Sequence, residues 1–247
     1  MKRDIDIEQV SDGKRYTSND MVRLGCDDCS GCSDCCRGMG SSILLDPYDA
    51  YRLMKGLGCS FDALLVGDTE VAKSPVIGLD LADGLILPHL QMTGETESCS
   101  FLNGEGRCGI HEIRPGFCRL FPLGRIYENG TFRYFHQIHE CSKGGKTKVK
   151  ISKWLGILNL KQYEKFVLDW HDFLEEAGEE ARRKQDADSM KQLGMGLLYV
   201  FYRKPYDMEM DFYEQFYARL AQVWEEKKKK PIRFCNEKSS IRNLPTI

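Results

Sequence analysis

Nine of the eleven cysteines in this 247-residue chain fall into two clusters, and their density restricts what the chain can become. The first cluster comprises Cys26, Cys29, Cys32, Cys35 and Cys36, and the second comprises Cys99, Cys108, Cys118 and Cys141. Thiols this dense pair poorly as neighbouring disulfides. They suit a soft metal, whose bonds to thiolate sulfur are about 2.3 Å long. The pattern therefore predicts metal chemistry.

The rest of the composition bears on the cellular location. Residues 1–8 are charged and contain no apolar signal region, so we expect a cytoplasmic protein. In that reducing compartment, clustered cysteines bind metal or take part in catalysis more often than they form disulfides. A disulfide framework is the alternative, and it would leave one of the eleven thiols unpaired. A net charge of −2 and short apolar runs predict neither a nucleic-acid nor a membrane partner.

The pattern along the chain predicts an α+β fold in four parts. We expect an irregular lead-in over residues 1–25 and a cysteine-cluster metal-binding domain over 26–145, in which short β-hairpins hold the second cluster. A helical domain over 146–230 should pack on it, and 231–247 should form a tail. Residues 142–148 are rich in glycine and lysine and predict a linker.

Local signals place several elements. Asp46 and Pro47 predict the start of a helix, since Asp is a favoured cap and Pro is favoured in the first helical position. Turn residues between short apolar segments predict hairpins within 77–92 and 124–138. Apolar residues at helical spacing predict three helices beyond residue 160.

The cysteine spacing leaves the metal open. Starting at Cys26, the first cluster has the Cys-x2-Cys-x2-Cys-x3-Cys spacing of a bacterial ferredoxin, with Arg37 where that run has proline. The doublet Cys35-Cys36 offers a second register, so the spacing does not identify every ligand. The second cluster must be assembled by the fold, and tetrahedral zinc would accept it equally well. We favour an iron–sulfur cluster of the [4Fe-4S] type, with zinc as the alternative.

The order of the cysteines carries a family resemblance. From Cys29 the chain reads Cys-x2-Cys-x2-Cys-Cys, followed by Cys-x8-Cys, by an Arg-Pro-x2-Cys element and by Cys141. Over about residues 26–145 this order resembles the YkgJ-type cysteine-cluster family, described as chelating zinc or iron, and a related module of flagellin lysine methylases. The resemblance implies eight ligands, in two four-ligand sites or one shared centre, with Cys26 as an extra thiol. The eight are Cys29, Cys32, Cys35, Cys36, Cys99, Cys108, Cys118 and Cys141.

Polar neighbours of the cysteines have simpler interpretations. We expect His111 and His139 to hydrogen-bond around the site or to lie at the surface rather than to ligate metal. Arg114 is expected to pair with Glu112 or with a backbone carbonyl. The alternative is that Arg37, Arg114 and Arg119 offset the negative charge of a thiolate-bound cluster or hold an anionic substrate.

Three functions are compatible with these features. The leading hypothesis is an iron–sulfur protein with a redox or cluster-assisted role, an oxidoreductase or transferase if it is an enzyme, with a protein redox partner or protein substrate. The second is a structural-zinc protein whose helical half binds a protein partner. The third, implied by the resemblance, is a role in protein lysine methylation. A radical S-adenosylmethionine motif, Cys-x3-Cys-x2-Cys, begins at Cys32 but has Met39 at its third position.

Overall fold

The structure is a computed structural model. It describes residues 7–25, 32–69, 74–82, 84–183 and 186–229. Cys26, Cys29 and the predicted tail at 231–247 lie outside these residues.

The strands of the described residues form four separate two-stranded antiparallel sheets rather than one large sheet. The pairs are β1 with β8, β2 with β3, β4 with β5, and β6 with β7. Their bounds are β1 (Met21–Gly25), β2 (Ile77–Ala82), β3 (Leu85–Leu90), β4 (Met92–Thr93), β5 (Ser98–Cys99), β6 (Leu123–Glu128), β7 (Thr131–His136) and β8 (Thr147–Lys150).

Helices account for most of the remaining regular structure. They are α1 (Ile7–Val10), α2 (Pro47–Leu57), α3 (Phe61–Val66), α4 (Gly116–Leu120), α5 (Ile151–Leu155), α6 (Leu160–Arg183), α7 (Ala187–Leu198) and α8 (Phe212–Lys229). Two short 3-10 turns, Asp34–Cys36 and His111–Ile113, lie beside cysteines, and a π-helical turn, Tyr199–Arg203, continues α7. The α+β prediction is confirmed. Within the described ranges, none of the helices is long and apolar enough to cross a membrane.

The predicted hairpins and helices are present. β6 and β7 are joined through Asn129 and Gly130, whose φ angles of 52° and 69° are the left-handed values that a tight hairpin turn requires. The Asp46 side chain caps α2 by accepting from the backbone N–H of Asp49, and Gly58 ends the helix with a φ of 62°. The three apolar stripes beyond residue 160 correspond to α6, α7 with its π-helical turn, and α8.

Two segments that were expected to be irregular contribute one strand each to a sheet. Residues 142–148 were expected to form a linker and 1–25 an irregular lead-in, yet β8 lies at the end of the first segment and pairs with β1 in the second. The buried side chains of Val22 and Leu24 pack with Ile151 in a small core of their own. Alternation of these apolar residues with exposed polar ones drives the pairing. The lysines of β8 obscured its pattern because they lie on its exposed side.

A larger core joins the cysteine-bearing half to the C-terminal helices. Phe166 of α6 lies at its centre and packs edge-on against Phe216 of α8, with ring centroids 4.7 Å apart. Tyr48 of α2 stacks on Tyr213 of α8 at 5.5 Å. Cys36 and Cys99 belong to the same core. The helices therefore support the cysteine segments directly.

Candidate metal centre

Six of the predicted ligands line one pocket. They are Cys32, Cys35, Cys36, Cys99, Cys108 and Cys118. The other lining residues are Leu90, Arg107, Ile110, His111, Arg114 and Pro115. The fold thus brings thiols of both sequence clusters around a single cavity.

Hydrogen bonds from a side chain and from the backbone join the first cysteine cluster to the segment that carries Cys99. The guanidinium of Arg37 donates to the Ser98 hydroxyl at 2.7 Å, and the Gly38 N–H donates to the Glu97 carbonyl at 2.9 Å. Because Arg37 follows Cys36 directly and Ser98 precedes Cys99 directly, these bonds place the two thiols on adjoining segments.

A second contact brings Cys141 to the edge of the site. The backbone N–H of Ser142 donates to the carboxylate of Asp34 at 2.8 Å, and the Ser142 hydroxyl does the same. Burial raises the pKa of the Cys32 thiol, and the neighbouring Cys141 adds to that rise. Cys141 does not line the pocket, but it lies close enough to Cys32 to influence its charge.

Helix α4 positions Cys118, and its first turn is held by a residue from α2. Pro115 precedes α4 and supplies no capping side chain. The carboxylate of Asp49 takes that role by accepting from the Gly116 N–H at 2.7 Å. The same carboxylate completes the capping box of α2. One buried acid therefore fixes the starts of two helices.

Two arginines hold the backbone that leads into α4. Arg52 donates to the Glu112 carbonyl at 2.6 Å, and Arg119 donates to the Arg114 carbonyl at 3.0 Å and to the Glu112 carbonyl. Sequence reasoning did not find these roles of Asp49 and Arg52. The Asp-x2-Asp pattern could have indicated the capping box, but nothing local signals a contact across 67 residues.

Three thiols at the centre of the pocket differ in how readily they lose a proton. The Sγ atoms of Cys35 and Cys36 lie 3.8 Å apart. Hydrogen bonding from the Cys36 thiol lowers the pKa of Cys35 and lowers that of Cys108 to about 6, and the positive charge of Arg114 adds to both shifts. The same hydrogen bonds raise the pKa of Cys36. Cys35 and Cys108 are therefore the thiols best prepared to act as thiolates.

Two deeper thiols remain protonated near neutral pH. Burial raises the pKa of Cys99 to about 11 and also raises that of Cys118. A metal that binds either residue must displace its proton, because the thiolate is the ligand.

Comparison with known proteins supports the chemistry of this donor set. Residues 28–142 match the model of a family described as "CxxCxxCC: Putative zinc- or iron-chelating domain". Over these residues, just under half of the chain, the sequence is similar to the CxxCxxCC family. No curated protein and no solved structure matches the chain.

The bounds of the CxxCxxCC domain bear on which thiols belong together. The match begins at residue 28 and ends at 142, so it includes Cys29 and Cys141 but excludes Cys26. Cys59 lies inside the domain but does not line the pocket, and Cys235 is outside both the match and the described residues. Whether Cys26 is an extra thiol, and which of the other cysteines ligate, stay predictions.

Some polar residues near the pocket make hydrogen bonds other than those expected from the sequence. Arg114 was expected to pair with Glu112 or a carbonyl, but its Nη1 donates to His111 Nε2 at 2.6 Å, and the Glu112 side chain is 99% exposed. The carbonyl contacts in this segment are made by Arg119 instead. His111 lines the pocket with its Nε2 lone pair used by Arg114, whereas His139 is exposed and away from it.

The donor set fits a soft metal. Two sulfurs bound to one tetrahedral metal at about 2.3 Å lie about 3.8 Å apart, and the Cys35 and Cys36 sulfurs have this separation. Across the part of the chain that the structure describes, no three His, Cys, Asp or Glu side chains are gathered tightly enough to form a complete ligand set. A bound metal would therefore require the pocket thiols to move closer together. Thiolate sulfur selects zinc and iron–sulfur clusters over calcium or magnesium.

Proposed function

We propose that this chain is an iron–sulfur protein whose CxxCxxCC domain holds a cluster, most simply [4Fe-4S], in a redox or cluster-assisted catalytic role. The observation that carries the proposal is the number of thiols in one cavity. Six cysteines line the pocket, which is enough for the four thiolates that a [4Fe-4S] cluster takes, with two thiols left over. A surplus thiol would allow one ligand of the cluster to exchange, which suits a cluster-assisted role more than the closed four-ligand site of a structural zinc.

The surroundings of the pocket suit control of a redox potential. Leu90 and Ile110 form an apolar part of the lining. Because these surroundings are weakly polar, the attraction between a bound cluster and nearby charged side chains would be stronger than in water. Arg114 lies close enough to Cys35 and Cys108 to stabilise their thiolates. A positive charge there favours the reduced, more negative cluster and so raises its potential. We expect a protein redox partner or protein substrate, and a cytoplasmic location.

Anaerobic purification followed by optical and paramagnetic resonance spectra tests this proposal. A brown protein whose visible absorption bleaches on reduction, with a cluster signal in the reduced state, is expected. The Cys108→Ser variant should lose most of this absorption, whereas the control Cys59→Ser, outside the pocket, should keep it. A colourless protein that carries only zinc would overturn the proposal.

A structural-zinc protein is the second candidate. The 3.8 Å separation of the Cys35 and Cys36 sulfurs supports it, since that distance fits an edge of a tetrahedral thiolate site. The helical half would then bind a protein partner. Zinc at a whole-number ratio to protein, with no labile sulfide, would favour this alternative.

Protein lysine methylation is a third hypothesis, and only the family resemblance suggests it. Such a role requires S-adenosylmethionine as methyl donor. Titration calorimetry of the metal-loaded protein with S-adenosylmethionine tests it, and an absence of heat would exclude it.

A further inference from the structure

We propose that the cysteine pocket also binds a small oxyanion, of the carboxylate or phosphate type, with Arg114 as its principal donor and Arg107 as a second positive charge. This proposal rests on the proposed function only in placing a metal centre on the thiol side of the cavity. The oxyanion would then be a substrate or co-ligand beside that centre.

The charge of the lining is the first argument. Two arginines, Arg107 and Arg114, line the pocket, and none of its described lining residues is an Asp or Glu. Glu112, two residues before Arg114, has a side chain that is 99% exposed. Apart from the thiols, the described part of the lining thus supplies no negative partner for these arginines.

The hydrogen bonding of Arg114 is the second argument. Its Nη1 is used by His111, but its Nε is buried and has no hydrogen-bond partner among the described residues. A buried donor that lacks an acceptor is costly, and none of the described pocket thiols accepts a hydrogen bond from this nitrogen. A missing acceptor is therefore expected at this nitrogen.

The geometry of a guanidinium defines the class of that acceptor. With Nη1 occupied, Arg114 retains the edge formed by Nε–H and Nη2–H, which point in parallel. Two parallel donors match the two oxygens of a carboxylate or phosphate, and this bidentate arrangement is the strongest that arginine makes. The bond to His111 holds the guanidinium plane in place and so fixes the direction of the free edge.

Equilibrium titration of the metal-loaded protein tests the oxyanion site. The probes are inorganic phosphate and acetate at constant ionic strength, with chloride as the reference anion, and the readouts are calorimetric heat and the absorption spectrum of the centre. Comparing the affinities for phosphate and for acetate shows whether the site prefers a phosphate-type or a carboxylate-type ligand. We expect saturable binding of at least one probe, and Arg114→Gln should weaken it about 10-fold or more.

Two further variants separate a specific site from general electrostatics. Arg114→Lys keeps the charge but removes the parallel donors, so it should retain metal and still bind the probes about as weakly as Arg114→Gln. Arg133→Gln removes an exposed charge outside the pocket lining and should leave the affinity within about twofold of wild type, as expected for a screened surface charge.

Metal content is measured first for every variant, so the two proposals can fail separately. A wild-type protein that retains no metal overturns the proposed function. A metal-loaded wild type that binds neither probe overturns the oxyanion site alone. Equal weakening by Arg133→Gln and Arg114→Gln, or loss of metal from both Arg114 variants, also overturns it, because Arg114 would then act only through its charge.

Discussion

The carboxylate of Asp49 accepts a hydrogen bond of 2.7 Å from the backbone N–H of Gly116, the first residue of the helix that carries Cys118. Asp49 is buried on α2, where it also closes the capping box with Asp46. The contact links the helical framework to the metal pocket, so stability and metal retention should respond together when it is lost.

Substituting Asp49 by Asn should reveal this link. Both carboxylate oxygens of Asp49 accept backbone hydrogen bonds, and an amide would turn a donor toward one of these N–H groups. We expect the free energy of unfolding to fall by about 1–3 kcal/mol, measured by denaturant titration. The protein should also release its metal to a chelator faster.

The control for Asp49→Asn is Asp62→Asn, which removes an ion pair with Arg203 at 2.8 Å on the surface. Exposed pairs contribute little, so this change should cost less than about 1 kcal/mol and should leave metal release unchanged. Equal effects of the two substitutions would contradict a special role for Asp49.

Gly116 should tolerate no side chain. A Cβ atom at this position would lie 2.2 Å from the Tyr163 hydroxyl oxygen, which is too close for any real contact. Gly116→Ala should therefore lower the unfolding free energy by about 1–3 kcal/mol through overpacking. The thermal midpoint, followed by circular dichroism, measures the loss.

A double-mutant cycle assigns that loss to the clash. Tyr163→Phe removes the opposing oxygen, so the combined variant should lose less stability than the sum of the two single changes. Gly104→Ala is the matched control, since a Cβ there meets no heavy atom within 4 Å. Strict additivity at Gly116 and Tyr163 would show that the close approach has no energetic consequence.

Local sequence signals predicted much of the framework. Asp46 and Pro47 placed the start of α2, and a turn of the Asn-Gly type placed the β6–β7 hairpin, because capping and turn geometry depend on residues a few positions apart. The stripes of α6, α7 and α8 followed from helical periodicity alone. The candidate thiols were equally visible, since their types and spacing carry the chemistry.

Contacts between distant segments could not be predicted in this way. The pairing of β1 with β8 joins strands more than a hundred residues apart, and lysines obscured one of them. The roles of Asp49, Arg52 and Arg119 around residues 112–116 depend on how α2 and α4 meet in space. The single pocket that unites six thiols is likewise a product of tertiary packing.

Metal binding should release protons from the buried thiols. The pKa of Cys99 lies near 11 and that of Cys118 is raised by burial, so both enter ligation as thiols and must lose their protons. Titration of the reduced, metal-depleted protein with zinc, in buffers of different ionisation enthalpy, counts these protons. Cys99→Ser should release about one proton fewer.

For this proton count, Cys59→Ser is the control, because Cys59 does not line the pocket and should release none on metal binding. The count for this variant should equal that of the wild type. A wild-type count of zero would mean that Cys99 and Cys118 are not ligands.

The central claim is that the thiol pocket holds an iron–sulfur cluster, and its most direct test is the ratio of iron and acid-labile sulfide to protein. Both are measured after anaerobic purification of the wild type and of Cys118→Ser. For a [4Fe-4S] centre the wild type should contain about four iron and four sulfide per chain, and the variant should contain much less. Zinc without sulfide in the wild type, or an undiminished iron content in Cys118→Ser, would contradict the account.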